Sequence, residues 1–246
     1  SVIVGDITLE EAGLALDKLQ EGMPAGAAQN FDNDIATDFS PKTILLHLPE
    51  VEKASIGFIG KIPATVAIDE FEDVVAGAIL GGGPNSRLFN AIRTELGAAY
   101  AFQALSANYT SDIKVLIMAG EVDAEKLIEV RDAVIQTYDN FLSEGIIDAE
   151  LTPLKGVFGS NISQAIQDPT AIAGLIHQQV LNEQPVARAL NIADEIQEMS
   201  AAAINDRLAN HYPSSDELIV VAVSSDKDAL PGACVITAMK QVDECQ

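Results

Sequence analysis

The sequence has no tryptophan, two cysteines, three histidines and few basic residues: 14 Lys plus Arg stand against 37 Asp plus Glu, a net charge of −23. That field repels a phosphate backbone and anionic lipid headgroups, so neither nucleic-acid binding nor adhesion to an anionic membrane is expected. What fits is solubility in a saline or extracellular setting, or attraction of basic peptides. No apolar run approaches the roughly eighteen residues of a membrane span, and none is read. The opening "SVIVGDITLEE" carries no basic stretch ahead of an apolar one and no cleavage signature, so no signal peptide is read. It also lacks an initiating Met, and a processed or excised piece is expected.

Several chemistries are missing as well. No G-x-x-x-x-G-K-[ST] loop is present: Gly81–Gly83 follow a helix-like segment, and no lysine lies between Lys61 and Lys114. No G-x-S-x-G elbow occurs. His47 and Glu50 match the first and fourth positions of an H-x-x-E-H zinc motif, but Val51 stands where the second histidine must be. His177 has no partner one helical turn away, and His211 lies near a helix C-terminus, where partial charge is merely stabilising. No metal site can be assembled, and no cofactor is expected in this chain. Cys234 and Cys245 can close a small loop, yet two cysteines are no framework and leave the compartment open.

The 246 residues suffice for a substantial core. Val2–Val4 reads as a strand end, and Thr8 with Glu11 has capping-box spacing ahead of a helix carrying Ala12, Leu16, Leu19 and Met23. Residues 1–25 therefore read as the tail of a preceding domain, 26–41 as a linker and 42–246 as the main domain. Lys42–Pro49 and Ala54–Ile62 read as two strands of a hairpin. An amphipathic helix follows, with Phe71, Val74, Val75, Ala78 and Ile79 on one face. Next come a second helix closed by Gly97 and a strand pair joined near Thr110 and Ser111. A helix from about Ala124 carries the stripe Leu127, Val130, Val134, Tyr138 and Phe141, and another is capped by Asp148 with Pro153 near its first turn. Further helices and the apolar strand Asp216–Ser225 complete the chain. This order predicts an α+β fold, a two-layer sandwich of a mostly antiparallel sheet covered by helices on one face.

The chemistry concentrates in "GGGPNSRLFNAIRTELGAAY", Gly81 to Tyr100. Asn85 or Ser86 caps a helix on which Leu88, Phe89, Ile92 and Leu96 share one arc of roughly 100°. Arg93 falls about 40° beyond that arc on the 3.6-residue period, so its stem can cover the core while its guanidinium follows the seam between helix and sheet. Gly97 ends the helix and Tyr100 opens the next strand, letting the two polar tips share one small region. An arginine and a tyrosine so placed also serve as ordinary packing residues. For the glycines, a helix end and tight turn is the preferred reading.

Ser86-Arg87-Leu88, Arg93, Leu96-Gly97 and Tyr100 match, position by position, a pattern S-R-L-x-x-x-[IL]-R…L-G-x-x-Y. With "VIVGDIT", the triple glycine and "EGIIDAELTPLKG" in the expected order, the chain resembles the C-terminal, zinc-less homology region of the pitrilysin–insulysin zinc peptidases, relatives of the mitochondrial processing peptidase. The resemblance runs to about residue 224. It implies that fold, and an active chamber shared by two homologous halves or subunits. A partner domain or subunit would carry the H-x-x-E-H site and its zinc. This chain would supply Arg93 to a peptide carbonyl and Tyr100 to the oxyanion, with Arg87 in a structural ion pair. The chain is then expected to be inactive alone, and its partners to be a peptide substrate and the zinc-bearing half. Alternatives are a silent assembly relative, like the family's core proteins in respiratory complexes, and a peptide-binding module that adds a strand at a sheet edge. A periplasmic or secreted setting is expected over the cytoplasm.

Overall fold

The computed structural model describes residues 2–23, 26, 38–64, 70–110, 112–181 and 183–245, with backbone alone at Glu70 and Tyr100. In chain order the elements are α1 (Leu9–Glu21), β1 (Thr43–His47), β2 (Ala54–Pro63), α2 (Glu70–Gly81) and α3 (Arg87–Phe89), which runs into a π-helical turn at Asn90–Glu95. Then come β3 (Ala99–Asn108), β4 (Ile113–Val122), α4 (Leu127–Glu144), α5 (Asp148–Ala165), α6 (Pro169–Leu181), α7 (Arg188–Glu198), α8 (Ala201–His211), β5 (Ile219–Ser224) and β6 (Cys234–Ile236). The linker read at 26–41 falls largely outside the described residues.

Two compact units result, residues 1–38 with 155–198, and residues 39–154 with 199–246. The first contains α1, α6, α7 and most of α5. Thr8 caps α1 through a full capping box with Glu11, as the spacing predicts, but Val2–Val4 form no strand. In this unit Gln197 Nε2 donates to the Lys155 carbonyl at 3.0 Å, over Gly159, where a side chain would collide with it.

The second unit is the α+β sandwich. Its sheet has strand order β3-β4-β2-β5-β1-β6, antiparallel from β3 to β5 and parallel where β1 meets β5 and β6. The expected β3–β4 hairpin is present; the expected β1–β2 hairpin is not, because β5 lies between them. Residues 48–53 can span roughly 20 Å extended, ample to step over one strand and cross the roughly 10 Å of two strand spacings. An apolar strand such as β5 is stable with a neighbour on each edge, so the late strand becomes central.

One sheet face buries Ile56, Phe58 and Ile62 of β2 with Leu116, Met118 and Val122 of β4. Against it pack α2, α4 and α8, and all five expected stripe residues of α4 are buried. The stripe expected on α2 is only partly realised: Val74 is 40% exposed, while Ala76, Leu80 and Asp73 are buried. Contact with both β3 and α8 buries α2 over most of its circumference, so no single narrow face exists. Gly81 is needed there, since any side chain would overlap the Ala104 backbone of β3.

Asp73 is fully buried, accepting from Lys114 Nζ at 2.9 Å, from Arg207 Nε and Nη2 at 2.9 Å each, and from the Tyr212 hydroxyl at 3.1 Å. This knot ties α2, β4 and α8 together. Burial, then the Asp73 charge, raises the Tyr212 pKa well above the ordinary phenol value, so its hydroxyl stays protonated as a donor. The cap of α5 also differs by one residue from expectation: the Ile147 carbonyl accepts the first helical bonds, and Asp148 is already inside. Cys234 and Cys245 form a disulfide beside Ile44 and Ile236, closing the sheet's β6 edge.

Candidate functional site

Ser86 starts the chemistry-bearing segment as its N-cap, donating to the Gly83 carbonyl at 2.7 Å and accepting from the Phe89 amide at 3.4 Å. Leu88 and Ile92 are fully buried and anchor the segment. Arg87, one step past the cap, is committed to structure. Its guanidinium grips Glu150 through two bonds of 2.8 Å, donates to the Gly145 carbonyl at 2.6 Å and lies 5.3 Å from the Phe141 ring centre. Hydrogen bonding to Arg87 is the main cause holding the Glu150 carboxyl below the ordinary glutamate range.

The other end behaves differently. The helix widens into the π turn, with the Leu96 amide bonded to the Ala91 carbonyl at 3.1 Å and the Ala98 amide to that of Ile92 at 3.0 Å. Gly97 then takes a φ of +57°, a conformation that favours glycine, and Lys126 Nζ caps the Leu96 carbonyl at 2.7 Å. π turns of this kind recur at functional sites.

Arg93 lies within this wider turn. It is exposed, its guanidinium 5.6 Å from the Phe89 ring centre. It lines a hollow of about 250 Å³ with Lys53, Gly97, Ala99, Glu121 and Asp123. Lys53 and Glu121 pair across this hollow at 3.1 Å, both well exposed. The Asp123 amide donates to the Ala98 carbonyl at 3.0 Å and fixes the rim. Glu95, by contrast, lines a separate hollow beside α4 with Arg87 and Glu144.

Tyr100 is the second residue of β3 and follows Ala99 of the hollow; its side chain lies outside the described atoms. Its backbone sits in an irregularity of the ladder: Ala99 pairs with Val122, but the next pair is Phe102 with Gly120, so β3 carries one extra residue. A bulge of this type re-aims a side chain and favours the neighbourhood of active sites. Sequence reasoning missed the π turn, the bulge, Lys53, Glu121 and Asp123. The Leu96-Gly97 stop was the one visible signal near them.

Among the described residues no group of three or more His, Cys, Asp or Glu could hold a metal ion. His47 ends β1, with its Nδ1 buried and without a hydrogen bond; His177 sits on α6 beside Leu16 and Leu19 of α1, and His211 ends α8. The donor set does not fit zinc. No helix among the described residues is long and apolar enough to cross a membrane.

Residues 1–156 match the family described as the Peptidase M16 inactive domain. No curated protein matches the chain. Among solved structures, a peptidase M16 inactive domain from Pseudomonas fluorescens superposes with a TM-score of 0.75 at 16% identity, over 89% of this chain and 52% of that one. The first half of the periplasmic protease PqqL from Escherichia coli gives 0.70 at 14% identity, over 94% and 52%. A chain of complex III2 from Candida albicans gives 0.69 at 15%, over 92% and 55%. The chain thus spans about half the length of these structures, and at such identities they establish the fold alone.

Proposed function

Because the chain belongs to the family of Peptidase M16 inactive domains, we propose that it is the zinc-less half of a two-part peptidase, lining the peptide chamber. Arg93 hydrogen-bonds a backbone carbonyl of the bound peptide. Tyr100 donates its phenol O–H to the oxyanion that forms at the scissile carbonyl. Donors fixed in advance toward developing negative charge stabilise the transition state most where water is scarce. The homologous partner, in the same chain or another, carries the metal.

The observation that carries this reading is the position of Arg93. Six residues after an arginine locked into the fold, it is exposed on the lining of a hollow that also includes Ala99, the residue before Tyr100, and the strand is bulged between Ala99 and Phe102. The test is reconstitution. The isolated chain cleaves no peptide and retains no zinc after dialysis, and addition of the zinc-bearing half restores cleavage. Peptidase activity in the metal-free chain alone rejects the assignment.

Two further features belong to this reading. Residues 1–25 are the tail of a preceding homologous domain: α1 buries none of its side chains, and Leu9, Leu14 and Leu19 stand 94%, 56% and 51% exposed. A helix of its length is marginal without a packed face. The Cys234–Cys245 disulfide supports a periplasmic or secreted setting. The second reading, a silent assembly subunit, is supported by the likeness to a chain of complex III2. Absence of an H-x-x-E-H half from both the full reading frame and the neighbouring coding sequence would favour it.

A further inference from the structure

The sheet has a second face, opposite its helices, and alternation along the strands should make it polar if water washes it. It is not polar. Register brings Leu105 of β3, Ile117 of β4, Ile59 of β2 and Ile219 of β5 into one row across four strands. Leu105 is 46% exposed and the three isoleucines are half-buried. One step toward the Arg93 hollow the row is Ala119, Gly57 and Val221; one step further it is Glu121, Ser55 and Val223, where Glu121 already lines the hollow.

Gly57 distinguishes this face from an ordinary apolar surface. Three glycines lie in β2 and β4. A side chain at Gly60 would come within 2.7 Å of Pro213, and one at Gly120 within 2.5 Å of the Phe102 ring, so packing demands both. A Cβ at Gly57 would meet nothing nearer than the Ala119 Cβ at 3.7 Å, an ordinary contact, and its φ is not positive. Glycine weakens a strand interior and there often marks close approach of a ligand. Here the fold leaves room for a side chain and the sequence supplies none, so Gly57 and Ala119 form a low floor between Glu121 and the aliphatic row.

We propose that this strip is a subsite for an extended, uncharged apolar peptide segment: Gly57 and Ala119 receive one bulky side chain, and the row of Leu105, Ile117, Ile59 and Ile219 receives the next on the same side. The inference rests on the reading of Arg93 as the peptide-carbonyl ligand. Alternate residues of an extended peptide repeat at about 6.7 Å, the same interval as successive rows of the sheet, so the two run in step from the hollow. Charge selects the occupant. Strip and hollow together carry Lys53, Lys61 and Arg93 against Glu121 and Asp123, close to neutral in a chain of net charge −23. A second copy, bearing the same −23, is repelled, whereas an uncharged segment is not.

Fluorescence anisotropy with two dye-labelled, uncharged nonapeptides tests this, one alternating Phe or Leu with Ser, the other alternating Ala with Ser. The chain binds the first at least ten-fold more tightly. Gly57→Val fills the floor in a strand-compatible way and abolishes that preference without weakening the Ala peptide. Leu105→Ser, at a half-exposed edge position, reduces the preference and keeps the test decisive where Gly57→Val fails to fold. Equal affinity for the two peptides, no binding of either, or a preference unchanged in the folded variants overturns the subsite. Arg93→Ala separates the two ideas: it weakens both peptides alike. A preference that persists while Arg93→Ala changes nothing keeps the strip and removes the arginine's role.

Discussion

Two arginines of this molecule sit in opposite circumstances. Arg207 is 4% exposed, bound into the knot with Asp73, Lys114 and Tyr212, and its charge is spent on joining α2, β4 and α8. Arg93 is exposed at a hollow between the π turn and the sheet's edge. The difference teaches that residue type decides little here. Burial and local backbone geometry decide whether a guanidinium is locked inside the fold or stands exposed at a hollow. Arg87 is the intermediate case, on the same helical segment as Arg93 but held by Glu150 and the Gly145 carbonyl.

The largest expected effect is on the knot. Asp73→Asn leaves two cations buried against a neutral amide and lowers stability by about 3–5 kcal/mol, read from urea unfolding. The fraction that remains folded keeps its turnover once joined to the zinc-bearing half. A mild loss places the charge balance of the knot elsewhere. Next, Arg93→Ala lowers reconstituted kcat/KM by about 10–10², chiefly through a raised KM, as expected for one hydrogen bond from a charged group to the bound peptide, and shifts unfolding by no more than about 0.5 kcal/mol, as at a surface position. Loss of stability in place of kcat/KM would make Arg93 a second Arg207.

Of similar size, Arg87→Ala costs about 1.5–3 kcal/mol, the range for hydrogen bonds to a charged group, with little effect on folded-state turnover. Its pH dependence sharpens the comparison. The Glu150 pKa is depressed in the folded state, chiefly by Arg87, so the pair's contribution is full above the ordinary glutamate value of roughly 4.3. It fades as pH falls through the depressed value. The stability gap between the protein and Glu150→Gln therefore closes on acidification below about pH 4 and is constant near neutrality. A gap that widens in acid contradicts the pairing.

How much of this was legible in the sequence follows from the range of the interactions. The β3–β4 hairpin and the α4 stripe are local patterns and read directly. The place of β5 was not legible: it reaches its two neighbours from more than 150 residues away, and no local signal says that it separates β1 from β2. On α2 the glycines conceal the contact face, because a residue without a side chain registers as neither apolar nor polar yet marks the closest approach to β3. At the site, the structure selects Ser86 from the two candidate caps, Asn85 and Ser86, and contains the Arg87 ion pair that the resemblance implied. The π turn was not legible, since a 3.6-residue count carries no signal of where a helix widens. Lys53, Glu121 and Asp123 surround the hollow only through sheet pairing, which spacing along the chain cannot reveal.

The assignment of Arg93 and Tyr100 to one peptide-binding hollow is tested most directly by steady-state kinetics of Tyr100→Phe combined with the zinc-bearing half. A phenol that serves the oxyanion acts in the transition state alone, so kcat falls about 10²–10³ with KM nearly unchanged. Unchanged kcat in a folded, fully reconstituted Tyr100→Phe protein contradicts the account.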